Sequence, residues 1–235
     1  MSFNDNYCSI LSSLGLGKFA VDSMAEKFCV IYEMLVSENQ KYNLTSITDE
    51  KGVIIRHFAD SLTAVEYIRG KTLADVGCGG GFPCLPIAVA MPEIEITAID
   101  STAKKLGFVD CVSGCLGLNV KTVNVRAEEM GKDVSFRGRF ENVISRAVAR
   151  LNILAELSLP LVRTGGRFIA LKGSEGAVEL KEAEKAIKTL GGRVSDVVEF
   201  ELGDAGKRSI IIIEKVFDTP QEYPRSFAKI KKNPL

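Results

Sequence analysis

The sequence predicts an α/β fold: a seven-stranded, mostly parallel sheet with an antiparallel C-terminal hairpin and an N-terminal helical extension. Three observations predict it. From Lys71 onward, strand-like and helix-like runs alternate, the pattern of a parallel sheet covered on both faces. The first strand-like run leads into a glycine-rich turn, Asp75-Val76-Gly77-Cys78-Gly79-Gly80-Gly81-Phe82-Pro83, followed by a helix-like stretch from Cys84 to Met91. The last two strand-like runs are joined by Glu201 to Arg208, a loop too short for anything but an antiparallel pair.

The elements follow in order. Residues 1–70 read as helical, because Val21, Met24, Ala25, Phe28, Ile31, Tyr32 and Leu35 recur at spacings of three and four and form one apolar stripe. Asp49 is placed to cap a second helix that runs through His57 to about Ile68. Asn39 to Thr45, between them, is polar and turn-like. Residues 71–235 carry the sheet, with strands expected at Thr72–Gly77, Glu95–Asp100, Val120–Val125, Phe140–Ser145, Arg167–Leu171, Arg193–Phe200 and Ser209–Val216. A basic tail occupies 223–235.

The strand ends carry the chemistry. Ligands of open α/β sheets bind outside the carboxyl ends of the strands. The first five strands end at Gly77, Asp100, Arg126-Ala127-Glu128, Ser145-Arg146 and Lys172-Gly173, so glycines and polar groups collect along one edge. Strand, glycine turn, helix, strand and acid is the layout of a nucleotide-cofactor site, in which the glycines admit the ligand and Asp100 pairs with ribose hydroxyls. A dinucleotide loop wants a third glycine where this chain has Phe82. The pattern Gly77, Gly79, Gly81 instead suits a ligand without a pyrophosphate, of which S-adenosyl-L-methionine is the commonest. A glycine-rich turn with no ligand stays open.

Composition sets limits. With 235 residues the chain can form one sizeable α/β domain plus a small extension. No apolar run approaches a membrane span, and Met1 to Ile10 shows no signal-peptide pattern. Six scattered cysteines and a single histidine argue against zinc-type ligation and fit reduced thiols in a cytoplasmic protein. Cys111 and Cys115 are read as packing residues. Net charge is zero, so a nucleic-acid partner must be met by a local basic surface. Arg225, Lys229, Lys231 and Lys232 can supply one, although charge alone favours a solvated tail.

Several motifs in a fixed order resemble the bacterial small-subunit rRNA guanine-N7 methyltransferase family, RsmG (GidB). They are Tyr42-Asn43-Leu44-Thr45, Arg56-His57 with Asp60-Ser61-Leu62, the loop from Asp75 to Pro83, and Asp100-Ser101 with Lys104. Arg126-Ala127-Glu128-Glu129, Ser145-Arg146-Ala147, Ala170-Leu171-Lys172-Gly173 and Tyr223-Pro224-Arg225 with Lys232 and Pro234-Leu235 complete the series. The resemblance implies a Rossmann-like class I methyltransferase that transfers a methyl group from S-adenosyl-L-methionine to N7 of a guanosine in 16S rRNA, with the rRNA or the 30S subunit as partner. It implies cofactor contacts from Gly77, Phe82, Ala127, Glu128 and Arg146. The family usually carries a glycine and a proline where this tail has Ala228 and Ile230, and Ala103 replaces a common asparagine.

Guanine N7 has a free lone pair, so attack on a sulfonium methyl needs no proton removed first. Catalysis then rests on alignment and electrostatics. Arginine or lysine reading O6 and N7 is the commonest specific contact to guanine, and during transfer only O6 is free for it. Arg146 and Lys172 are the catalytic candidates by strand-end position. Arg146 has a second reading as an ion-pair partner of Glu128, and Lys172 as an ordinary strand-end lysine. Phe82 packs against the cofactor or the core. His57 is read as a packing or hydrogen-bonding group rather than a base, and Arg56 as facing RNA or a lid. No metal is called for, and nothing demands more than a monomer. Two other functions remain open: methylation of a different acceptor, and a non-catalytic RNA-binding assembly factor.

Overall fold

The protein is described here by a computed structural model covering residues 2–235. Seven strands, β1 (Thr72–Val76), β2 (Glu95–Asp100), β3 (Val120–Asn124), β4 (Phe140–Arg146), β5 (Val162–Lys172), β6 (Gly192–Glu201) and β7 (Lys207–Lys215), form one sheet in the order β3-β2-β1-β4-β5-β7-β6. β1 to β5 are parallel, and β7 lies antiparallel between β5 and β6. The order in which strands are added reverses between β1 and β4, the switch point at which open sheets of this kind leave a crevice. β5 starts earlier than the apolar run suggests, because Val162 pairs with Phe140 across an irregularity before the regular register begins at Arg167.

Strand side chains alternate between two cores, as pleating requires. Leu73, Ile96, Ile144, Ile169 and Ile210 face one core; Ala74, Ile99, Val143, Phe168 and Ile211 face the other. The first core is covered by α1 (Phe3–Ser13), α2 (Asp22–Tyr42), α5 (Cys84–Ala90) and α6 (Ala103–Leu116). The stripe read from the sequence supplies Ala25, Phe28, Ile31 and Leu35 to it, and Phe28 packs on Phe58 with ring centroids 4.7 Å apart. α2 extends through Tyr42, so the expected turn begins only at Asn43, which caps the helix in the left-handed conformation at φ 47°. Helix propensity outlasts the apolar stripe because exposed Gln40 and Lys41 are good helix formers.

The second helical segment also differs from a plain α-helix. α3 (Glu50–Val53) is capped by the Asp49 carboxylate, which accepts from Gly52 N–H at 2.7 Å. It then widens into a π-helical stretch over Ile54–Ala59 before α4 (Asp60–Leu62). The wide turn lies where Arg56, His57 and Asp60 enter the site. Such bulges are frequent at functional sites.

The opposite core is covered by α7 (Ala127–Met130), α8 (Leu151–Ser158), α9 (Gly176–Thr189) and α10 (Phe227–Lys232). The tail is therefore packed structure. Arg137 donates to the carbonyls of Gly131, Thr219, Pro220 and Tyr223 and gathers that strap onto the domain. Arg225 grips Glu156 through Nε at 2.9 Å and Nη2 at 2.6 Å, and Ile230 is fully buried. Arg225 is thus committed to an internal ion pair, which corrects its expected place on an RNA surface. Because Glu156 is 0 % exposed, removing its partner strands a buried carboxylate. Arg225→Ala is expected to lower the unfolding free energy by about 3 kcal/mol or more in urea denaturation, and Arg225→Lys to recover only part of it.

Candidate active site at the carboxyl edge of the sheet

Two adjoining cavities open at the carboxyl ends of the parallel strands. The first, about 490 Å³, is lined by the glycine loop, Asp100, Ala127, Glu128, His57, Phe82 and Arg146. Its size is that of an ordinary small-ligand site. The N–H groups of Gly77 and Cys78 both donate to Ile99 O, at 2.8 and 3.0 Å, and fasten the loop to β2. Gly79 adopts φ +55°, and a Cβ there would meet nothing within 4 Å, so its bare face is turned to open space. Gly81 does the opposite: at φ +89°, its Cβ would lie 2.4 Å from Leu85 Cδ1. It lets α5 pack close and stands outside the cavity lining, so its expected cofactor contact is replaced by a packing role.

The acid at the end of β2 is held in place. Asp100 accepts from Gly79 N–H at 3.0 Å and from Thr102 N–H at 2.8 Å, which fixes its carboxylate on the cavity rim. Beneath the loop, Asp75 is fully buried and accepts from Cys84 N–H at 3.0 Å at the start of α5. Its second oxygen has no partner among the described residues, and burial pushes its carboxyl up to about 7.

Phe82 stacks on His57, with centroids 4.5 Å apart and rings inclined by 9°, and Arg146 lies over its ring at 5.8 Å. Phe82 is nearly buried and also lines the cavity. Arg146 pairs with Asp60 at 2.8 Å and donates to Arg56 O at 2.8 Å, while Arg208 takes the other Asp60 oxygen at 3.0 Å. The expected alternative pairing of Arg146 with Glu128 is corrected: a buried carboxylate on α4 is the partner. Sequence spacing carried no signal for Arg208, which enters from β7.

His57 is locked between these groups. Nδ1 faces Arg146 Nη2 at 3.2 Å, and Nε2 faces Thr45 Oγ1 at 2.8 Å. Arginine can only donate, so Nδ1 accepts and the proton sits on Nε2. Burial and the neighbouring guanidinium depress its pKa from 6.5 to about 4, which keeps the ring neutral.

The second cavity, about 580 Å³, shares His57, Arg146, Ala147 and Val148 with the first and adds Arg56, Asp60, Lys172, Glu179 and Arg208. Among the described residues, Ala147 is one of two non-glycine residues with positive φ, at +56°, and the strained turn carries the chain between the cavities. Lys172 belongs to this second cavity only. It is almost fully buried, bonded to Glu179 and Ala149 O, each at 2.7 Å. From the tail, Phe227 reaches the first cavity, a contribution for which local sequence carried no signal. Lys229, Lys231 and Lys232 are exposed, as is Arg56. Among the described residues, no group of three or more histidine, cysteine or acidic side chains is placed to hold a metal, and no helix is long and apolar enough to cross a membrane.

The family model described as rRNA small subunit methyltransferase G matches residues 24–211. The chain belongs to that family. It is 47% identical over 220 residues to ribosomal RNA small subunit methyltransferase G of Staphylococcus carnosus, covering 91% of this chain and 92% of the relative. It is 42% identical over 236 residues to the protein of the same name from Brevibacillus brevis, covering 98% of each. A solved geranyl diphosphate methyltransferase in complex with SAM superposes with a TM-score of 0.54 at 14% identity, over 74% of this chain and 94% of that one, a likeness of fold.

Because His57 is the only histidine, its ring is observable without assignment. An NMR titration of the side chain is expected to show a midpoint near 4, with the ring neutral throughout the physiological range.

Proposed function

We propose that the protein transfers a methyl group from S-adenosyl-L-methionine to N7 of a guanosine in 16S rRNA of the small ribosomal subunit. The observation that carries this reading is the pair of adjoining cavities divided by Arg146 to Val148, one built on the glycine loop and Asp100, the other lined by basic side chains. Family membership supports the acceptor class.

The residues present fit the donor. Gly79 leaves its face of the loop open, and the Asp100 carboxylate is already oriented on the rim for two hydroxyl donors. Ala127 and Glu128 lie at the start of α7 on the opposite wall, and Phe82 offers an apolar ring beside Arg146. Bound donor supplies a methyl group already activated by its sulfonium charge.

What the chain adds is position. Arg146 reaches both cavities and is held by Asp60, the Arg56 carbonyl and His57, so it loses little freedom when substrate arrives. His57, neutral and already bonded at both nitrogens, acts as a spacer that sets Phe82 and Arg146. No proton has to leave the nucleophile, so the transfer asks for no general base. Exposed Lys229, Lys231 and Lys232 on the tail, and Arg56 at the second cavity, provide phosphate contacts.

Asp100→Ala is expected to weaken S-adenosyl-L-methionine binding at least tenfold by calorimetry without unfolding the domain; unchanged affinity would remove the ribose assignment. Converting Lys229, Lys231 and Lys232 together to glutamine tests the RNA surface without touching buried Ile230. The log–log salt slope of RNA binding is expected to fall by roughly 2, at about 0.7 for each lost phosphate contact to single strands. An unaltered slope returns the three lysines to a solvated face.

A further inference from the structure

The Lys172–Glu179 pair is not explained by the donor cavity, since neither side chain lines it. Nor is it a surface bridge. The side chains are 5% and 16% exposed, at the end of β5 and in the first turn of α9, and both line the second cavity. Burying two charges is costly unless their remaining bonds are satisfied. Here some are left over. Lys172 Nζ lies 2.7 Å from Glu179 Oε2 as an ion pair and hydrogen-bonds only Ala149 O, so its donors are not all used within the protein. Glu179 Oε2 accepts from Leu151 N–H at 2.7 Å and faces the Lys172 ammonium, whereas Oε1 has no hydrogen-bond partner among the described residues. The cavity wall therefore presents unused ammonium donor capacity beside one free acceptor.

Resting on the guanine-N7 reading above, we propose that Lys172 and Glu179 form the base-reading pair of the acceptor cavity, with Lys172 donating to guanine O6 and Glu179 Oε1 accepting from guanine N1–H. N7, O6 and N1–H follow one another round the edge of guanine. The protein groups keep that order. Arg146 to Val148 divides the cavities where N7 must face the methyl group; Lys172 is tied to Ala149, next along the chain; Glu179 is tied to Leu151, further on. Adenine presents a donor at position 6 and an acceptor at N1, the reverse pattern, which leaves both protein groups facing their own kind. A site with buried polar groups rejects such a mismatch strongly. Glu179 is thus a specificity-determining residue, and Lys172 takes the O6 contact in place of a direct role at the methyl group.

Glu179→Gln separates reading from architecture. The glutamine oxygen can still accept from Lys172 and Leu151, while its NH₂ replaces the free acceptor. The assay is transfer from radiolabelled S-adenosyl-L-methionine to unmethylated 30S subunits, with donor affinity measured in parallel. Activity of the unaltered protein on those subunits tests the functional reading itself and is scored first. Once that holds, Glu179→Gln is expected to lower kcat/KM about 10- to 100-fold with donor Kd unchanged. With 2-aminopurine, which has no O6 and a bare N1 acceptor, at the mapped methylation position, the unaltered protein should lose at least 100-fold, and Glu179→Gln should narrow that gap between bases. Inosine, which keeps O6 and N1–H, should be methylated within a few-fold of guanosine. Full kcat/KM in the variant, a guanine preference unmoved by it, or an equal loss of donor binding would each overturn the proposal.

Discussion

The arrangement of the site depends on one buried charge. The Asp60 carboxylate, 9% exposed, is shared by Arg146 from the end of β4 and Arg208 from β7. A lone carboxylate at that depth would be destabilising by several kcal/mol, so the helical segment that carries it must sit where both guanidinium groups can reach it. That requirement draws α4 onto the sheet edge. It also aims the wide helical turn before α4 so that His57 reaches Phe82 and Arg146 together. The wall between the two cavities is built from these same groups.

The glycine loop divides its labour in a way consistent with that wall. Gly79 leaves a face open and donates to Asp100, whereas Gly81 spends its missing side chain on the close approach of α5. Asp75 holds the start of α5 from below with one oxygen and leaves the other unpaired, a polar strain stored under the loop. The loop is thus anchored at both ends, to β2 through Ile99 O and to α5 through Asp75, with freedom only on its ligand face.

The tail links the two functional surfaces. Arg137 and the Arg225–Glu156 pair hold it against the domain, and Ile230 buries itself where the family usually has proline. Pinned this way, a single turn of helix turns Phe227 toward the first cavity and leaves Lys229, Lys231 and Lys232 in solvent. Ile230 gives that turn an apolar anchor, the physical use of a residue that departs from the family pattern.

Periodicity and local turn chemistry were enough to read the alternation of strands and helices, the N-terminal stripe, the closing hairpin, and the line of glycine and polar residues at the strand ends. These are local properties: side-chain period and glycine placement act over a few residues, and the sheet merely brings the strand ends into register. The glycine loop with Asp100 was legible for the same reason. Partnerships were not. That Arg146 meets Asp60 rather than Glu128, that Arg225 is spent on Glu156, and that Phe227 returns to the first cavity all join residues far apart in the chain. A charge in sequence is only a demand for a partner; which partner answers is decided when packing removes water and leaves one geometry that satisfies every buried group.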